Sequence, residues 1–201
     1  VSLTVREFGA ALAQFQEDLK SLGSEAPLVM ARAVNRAGIS GKTAMVKAVA
    51  ADLGLTQKYV SADIRIGKAS KAAPTFAVEV QGRRIPLIAF GARGPEPSKG
   101  KGGGVTYRLP SGAGRVPNAF IATVGSGQHR GVFKRIGVSR RRSVGAWSPN
   151  LPIVELRGPS LPTVFEKHVD AFFVAAEESL VKNLEHEIDF ARSKRAGGEG
   201  A

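Results

Sequence analysis

Cysteine is missing altogether from this chain of 201 residues. That excludes disulfides, thiolate metal sites and cysteine nucleophiles, and it fits assembly in a reducing compartment. Aromatic residues make up only 6% of the chain against 43% hydrophobic residues, so small aliphatic side chains must supply most of the packing. No apolar run approaches the ~20 residues that a membrane-spanning helix requires. The first residues show neither an initiator Met nor a basic head followed by an apolar stretch. The expectation is a processed or truncated, soluble, intracellular product with no signal peptide and no membrane partner. At this length the chain is able to bury a real core, as one large domain or two small ones.

Acids are the next shortage, and a local one. Between Arg65 and Gly145 only Glu79 and Glu96 are acidic, against 16 Lys and Arg, so this stretch carries +14. The whole chain carries +12, which leaves −2 for everything outside it. A field of one sign confined to one region favours an acidic partner, either nucleic acid or a negatively charged protein ring.

Thr4 and Glu7 stand at capping-box spacing, and Val5, Phe8, Leu12, Phe15, Leu19 and Leu22 recur in threes and fours. This predicts an amphipathic helix closed by Gly23. A second helix starts at Ser24, with Pro27 in its first turn, and runs to about Leu53. It is rich in Ala and carries Gly38 and Gly41, which suit close backbone approach or a kink. Thr56 then caps a short helical piece, Gln57 to Ala62.

The period next changes to two. Strands are predicted at Ile64 and Ile66, Thr75 to Val80, Ile85 to Phe90, Val105 to Leu109, Ala119 to Val124, Gly131 to Ile136 and Ile153 to Leu156. Pro86 marks an edge or a strand start. Gly91 to Gly104 reads as an exposed hairpin loop and Ser139 to Ser143 as an arginine-rich loop. Ser160 caps a long helix with the stripe Phe165, Val169, Phe172, Ala176, Leu180, Leu184 and Ile188; the polar, Gly-rich tail from Ser193 reads as frayed. The expected fold class is α+β: an antiparallel β-sheet with extended loops, packed by two N-terminal helices and one long C-terminal helix. The expected organisation is a single domain over residues 1–195. It is helical over 1–62, β-rich and basic over 63–157 and a long helix over 160–193, with 196–201 as a flexible tail.

Motifs of catalysis fail on spacing or context. Gly41-Lys42-Thr43 resembles the end of a phosphate loop, but Arg36 stands where the motif needs glycine, and the segment lies inside a helix. His186-Glu187 would need a second histidine at Phe190 to make a zinc-protease helix. His129, His168 and His186 are scattered. Only the last two share a helix, 18 residues apart, too far to bind one metal from a single turn, and exposed helix-face histidines are the reading. Ser126 sits in a turn rather than a nucleophile elbow. Glu177 and Glu178 are adjacent and point apart. A helix-turn-helix over Ala48 to Ile66 would have a recognition helix of only about six residues, shorter than the motif uses. No enzyme, cofactor or metal site is expected.

The basic residues carry the functional expectation instead. Arg83, Arg84, Lys99, Lys101, Arg140, Arg141 and Arg142 fall at predicted turns, where side chains are free to meet a partner. Arg108, Arg115, Arg130, Lys134 and Arg135 complete the candidate set for contact with a partner or DNA. Isolated lysines more often only solvate a surface, but +14 in one region favours binding. Few aromatics interleave with these charges, Tyr107 and Trp147 being nearest, so contact is expected with phosphates or acidic side chains rather than by base stacking.

Several stretches also carry a resemblance. Ala31-Arg32-Ala33-Val34-Asn35-Arg36-Ala37, Arg84-Ile85-Pro86-Leu87-Ile88-Ala89-Phe90-Gly91 and Val116-Pro117-Asn118-Ala119-Phe120-Ile121 come first. Gly131-Val132-Phe133-Lys134-Arg135, Leu151-Pro152-Ile153-Val154-Glu155-Leu156 and Pro159 to Phe165 follow. In sequence and order, over roughly Pro27 to Lys167, the chain resembles the minor tail protein Z family of long-tailed bacteriophages. The resemblance implies a cofactor-free structural protein of the virion, at the head-proximal end of the tail. It would form a homo-oligomeric ring, taken as a hexamer, and help complete the tail and join it to the head. The partners it implies are the tail terminator, tail tube and head–tail connector proteins, with contact to phage DNA left open, after assembly in the host bacterial cytoplasm. The alternative from the residues alone is a non-specific nucleic-acid-binding protein.

Overall fold

Strand β1 (Ser2–Leu3) and helix α1 (Gln16–Leu22) open the computed structural model, which describes residues 2–3, 13, 15–82, 84–96, 103–125, 127–136 and 152–198. Next come α2 (Ala26–Leu53), α3 (Gln57–Ser61), β2 (Ile64–Gly67), β3 (Phe76–Val80) and β4 (Arg84–Pro86). The strands β5 (Val105–Leu109), β6 (Gly112–Val116), β7 (Ala119–Val124), β8 (His129–Arg135), β9 (Ile153–Glu155) and β10 (Arg157–Ser160) follow. Helices α4 (Leu161–Lys167) and α5 (Val169–Gly198) complete the order. Every strand pairing among the described residues is antiparallel, and the class is α+β. The strands divide among four small sheets, ordered β1-β3-β2, β10-β4, β5-β6 and β7-β8-β9. The capping pair Thr4 and Glu7, and with it Val5, Phe8 and Leu12 of the first helical stripe, lies outside the described residues.

The residues cluster into two units. The first takes Val1–Ala50, Thr56–Gly82 and Pro162–Ala201 and holds the long helices and the β1-β3-β2 sheet. The periodic stripe on α5 is its core: Phe172, Ala176, Leu180, Leu184 and Ile188 are all buried, with Val34, Ala37, Val46 and Val49 of α2. The small residues of α2 serve close approach. A side chain at Gly38 would collide with the Phe76 ring, and a Cβ at Gly41 would sit 2.8 Å from the Phe172 carbonyl oxygen. The helix runs unbroken through both glycines. Gly41 is therefore a packing residue, and the Thr43 hydroxyl donates to the Ile39 carbonyl one turn back at 2.9 Å. Gly41→Ala gains up to ~1 kcal/mol of helix propensity but meets a backbone atom that cannot rotate away. A net loss of about 1–2 kcal/mol is expected in chemical denaturation; a more stable variant would contradict this close approach.

Asn35, on the N-terminal side of these glycines in α2, clamps the loop after β2. Its side-chain amide donates to the Ala69 carbonyl at 2.9 Å, and its oxygen accepts from the Ala69 N–H at 2.8 Å. Arg32 and Arg36, one turn apart, converge on the buried carboxylate of Glu187 at 3.5 and 2.9 Å. The Thr56 hydroxyl caps α3 by accepting from the Tyr59 N–H at 3.3 Å. Two sequence expectations are corrected here. The terminal helix is interrupted at His168, where turn bonds link Phe165, His168 and Ala171. It also continues past Ser193 to Gly198, because Arg192 pairs with Asp18 and Arg195 donates to the carbonyls of Ser21 and Leu22 at the end of α1. The described part of the first helix is thus docked on its own chain.

The second unit takes Ala51–Leu55 and Arg83–Leu161. Its small core is built from Ile85, Leu87, Phe90, Val105, Ile121, Val132, Phe133 and Leu161. Pro86 sits on an edge strand, since β4 pairs with β10 alone among the described residues. It ends that strand rather than starting one: without an N–H it cannot extend the ladder, and the chain tightens into the single turn Leu87–Phe90. β6 and β10 were not expected, since Gly112 to Val116 lacks apolar alternation and β10 contains Pro159. Tyr107 of β5 covers Gly114 of β6, where any side chain would strike its ring. The ends of the Gly91–Gly104 loop are tied by a bridge between Arg93 and Thr106 and by the Ile121 N–H donating to the Pro95 carbonyl at 2.9 Å. Its middle lies outside the described residues.

Candidate functional site

The second unit carries 14 Lys and Arg against three acids, Asp52, Glu96 and Glu155. Two of those acids are engaged locally. Glu96 lies 3.8 Å from Arg130. Glu155, on β9, accepts from His129 at 2.7 Å and from Arg157 at 2.9 Å. Burial works against the charge of Glu155, but hydrogen bonds and the positive field of His129 and Arg157 outweigh it and hold its carboxyl below the usual glutamate range. Gly131 of β8, two residues before the Phe133 that Glu155 pairs with, leaves room for this carboxylate, since a Cβ there would sit 3.0 Å from its Oε1. His129 is therefore a strand residue whose exposed ring is paired with a carboxylate.

Of the twelve basic candidates, Arg83, Lys99, Lys101, Arg140, Arg141 and Arg142 lie outside the described residues. The other six fall on strands. Arg84 opens β4, exposed and opposite Ser160, so it is not a turn residue. Arg130 is offset by Glu96, Lys134 is half-buried, and Arg135 places its guanidinium 5.6 Å from the centre of the Phe120 ring.

Arg108 and Arg115 are the pair that the register brings together. Thr106 stands opposite Arg115, and Arg108 opposite Ala113. Directly opposed residues share a face, as do residues two apart on one strand. Both arginines therefore project from one exposed face of the β5–β6 hairpin. Arg93, absent from the candidate set, joins them. Its N–H and carbonyl each bond Thr106 at 2.8 Å, which places Arg93, Thr106 and Arg115 in one transverse row. Local periodicity does not reveal a row made by a single bridge 13 residues apart; only the excess of arginine over acid pointed here. The Arg115 guanidinium donates to the Gly103 carbonyl, with Nε at 2.8 Å. A carbonyl carries no charge, so the arginine stays a full cation.

Among the described residues no three His, Asp or Glu side chains come together as a metal site, and no helix is long and apolar enough to cross a membrane. Glu177, Glu178 and His186 are exposed on α5, and Glu187 is held by the arginines of α2. The model of the family described as prophage minor tail protein Z (GPZ) matches residues 11–193. No curated protein and no solved structure gives a match.

Proposed function

Because the chain belongs to the prophage minor tail protein Z family, and is thereby a minor structural protein of a phage tail that meets other virion components, we propose that it acts at the head-proximal end as a tail completion protein. In this reading several copies close into a ring that helps join the tail to the head. A head-to-tail contact that closes is what such a ring needs. The β9 edge of the β7-β8-β9 sheet offers one: Val154 is exposed there opposite Lys134, and Ile153, on the other face, is exposed opposite Arg135. Exposed apolar side chains flanked by charge suit a protein interface. The tail terminator, tail tube and connector proteins are the proposed neighbours, with the basic second unit turned toward an anionic surface. Assembly in the host cytoplasm follows from the same reading.

The observation that carries this is the division of charge. The second unit holds 14 cations and three acids, whereas the helical unit is nearly balanced. Fields of one sign set register and speed encounter, while apolar burial drives assembly. Deletion of the gene tests the placement. Tails and filled heads should still be made, but electron micrographs should show few joined particles and infectivity should collapse. Joined, infectious particles from the deletion would overturn it.

A further inference from the structure

We propose that the exposed face of the β5–β6 hairpin, extended by Arg93, binds the phosphate backbone of double-stranded DNA. This rests on the reading of the basic unit as the partner-binding part of the chain and names the partner of one of its faces. Adjacent strands lie ~4.8 Å apart and residues two apart on a strand ~6.8 Å apart. Arg93, Arg108 and Arg115 are thus spread over roughly 10 Å by 7 Å, a patch that spans neighbouring phosphates rather than one small anion. Arg93, Thr106, Arg108 and Ala113 line an open groove of about 460 Å³. The acid nearest in sequence, Glu96, is turned to Arg130.

The face also differs in kind from a protein-binding surface. Among the described residues from 84 to 125 no large apolar side chain is exposed. Protein interfaces keep an apolar core, whereas protein–DNA interfaces are more polar and far more positive. The β9 side of the same unit, with Ile136, Ile153 and Val154 exposed, has the opposite character. An acidic protein is therefore the poorer fit for the arginine face. Arginine's planar fork suits phosphate bidentately. No exposed aromatic shares the face, so it has no platform for stacking single-stranded bases. A flat hairpin surface that touches only phosphates reads no sequence.

The test measures binding of the full chain to a labelled DNA duplex of arbitrary sequence by fluorescence anisotropy across a salt series. Binding should be weak, sequence-independent and steeply salt-dependent. The variant Arg93→Gln/Arg108→Gln/Arg115→Gln should bind roughly tenfold or more weakly at low salt. Its log–log salt slope should fall by about three, because each arginine removed leaves about one phosphate un-neutralised. The matching Lys triple variant should keep most of that slope, and Arg135→Gln should leave it unchanged. Circular dichroism reports folding. If the Gln triple variant does not fold, Arg93→Gln and Arg108→Gln singly carry the test, each lowering the slope by about one. An unchanged slope in the triple variant, or an equal loss from Arg135→Gln, would overturn the proposal. So would binding of poly-glutamate but not DNA through the same three arginines. Those results would leave the tail-completion reading standing, since that is tested separately by the gene deletion.

Discussion

Phe172→Ala should destabilise the helical unit by about 3–5 kcal/mol. Phe172 is 2% exposed and packs against Gly41 of α2, its ring edge-on to Phe173 at 6.0 Å between centroids. Truncation removes the transfer free energy of the ring and leaves a void. The surroundings cannot readily collapse into that void, because the α2 wall is backbone and small residues rather than flexible side chains. The ~0.5 kcal/mol of helix propensity that alanine adds is far too small to offset this. Urea unfolding followed by far-ultraviolet circular dichroism measures the effect. A loss below about 1 kcal/mol would mean that α5 turns a different face to α2.

The bridge from Arg32 and Arg36 to Glu187 should respond asymmetrically. Glu187 is 3% exposed, whereas both arginine side chains remain about half exposed. Arg32→Ala/Arg36→Ala strands a carboxylate away from water and should cost about 3–5 kcal/mol. Glu187→Gln leaves two arginines that can turn toward solvent and should cost only about 1 kcal/mol. Adding Glu187→Gln to the double arginine variant should therefore recover much of the lost stability. Equal costs from the two sides, or no recovery, would show that the carboxylate is not shielded from water in solution. This geometry also settles the role of His186-Glu187: the glutamate is structural, and the histidine beside it is exposed.

Local chemistry was legible where it declares itself within a few residues. The α5 stripe, the glycine stop at Gly23, the Thr56 cap and the bounds of β5 and β7 follow from periodicity and capping. What was not legible depends on partners far along the chain. β6 exists because Gly114 accepts the Tyr107 ring, and its own residues show no strand pattern. Helix α5 runs past Ser193 to Gly198 because Arg195 is held by carbonyls 173 and 174 residues away. The break at His168 has no proline or glycine to announce it. The candidate surface divides in the same way. Its charge was plain from composition, but which arginines share a face depended on the bridge between Arg93 and Thr106. Turn positions alone would have grouped Arg84 with the loops instead of the strands.

Completing the tail near the head, as proposed, requires the chain to be a stoichiometric part of the particle rather than a passing assembly factor. Quantitative mass spectrometry of purified infectious particles, separated into head and tail fractions, tests this most directly. The expected result is a fixed number of several copies per particle, all in the tail fraction. Infectious particles that contain no copy of this chain would contradict it.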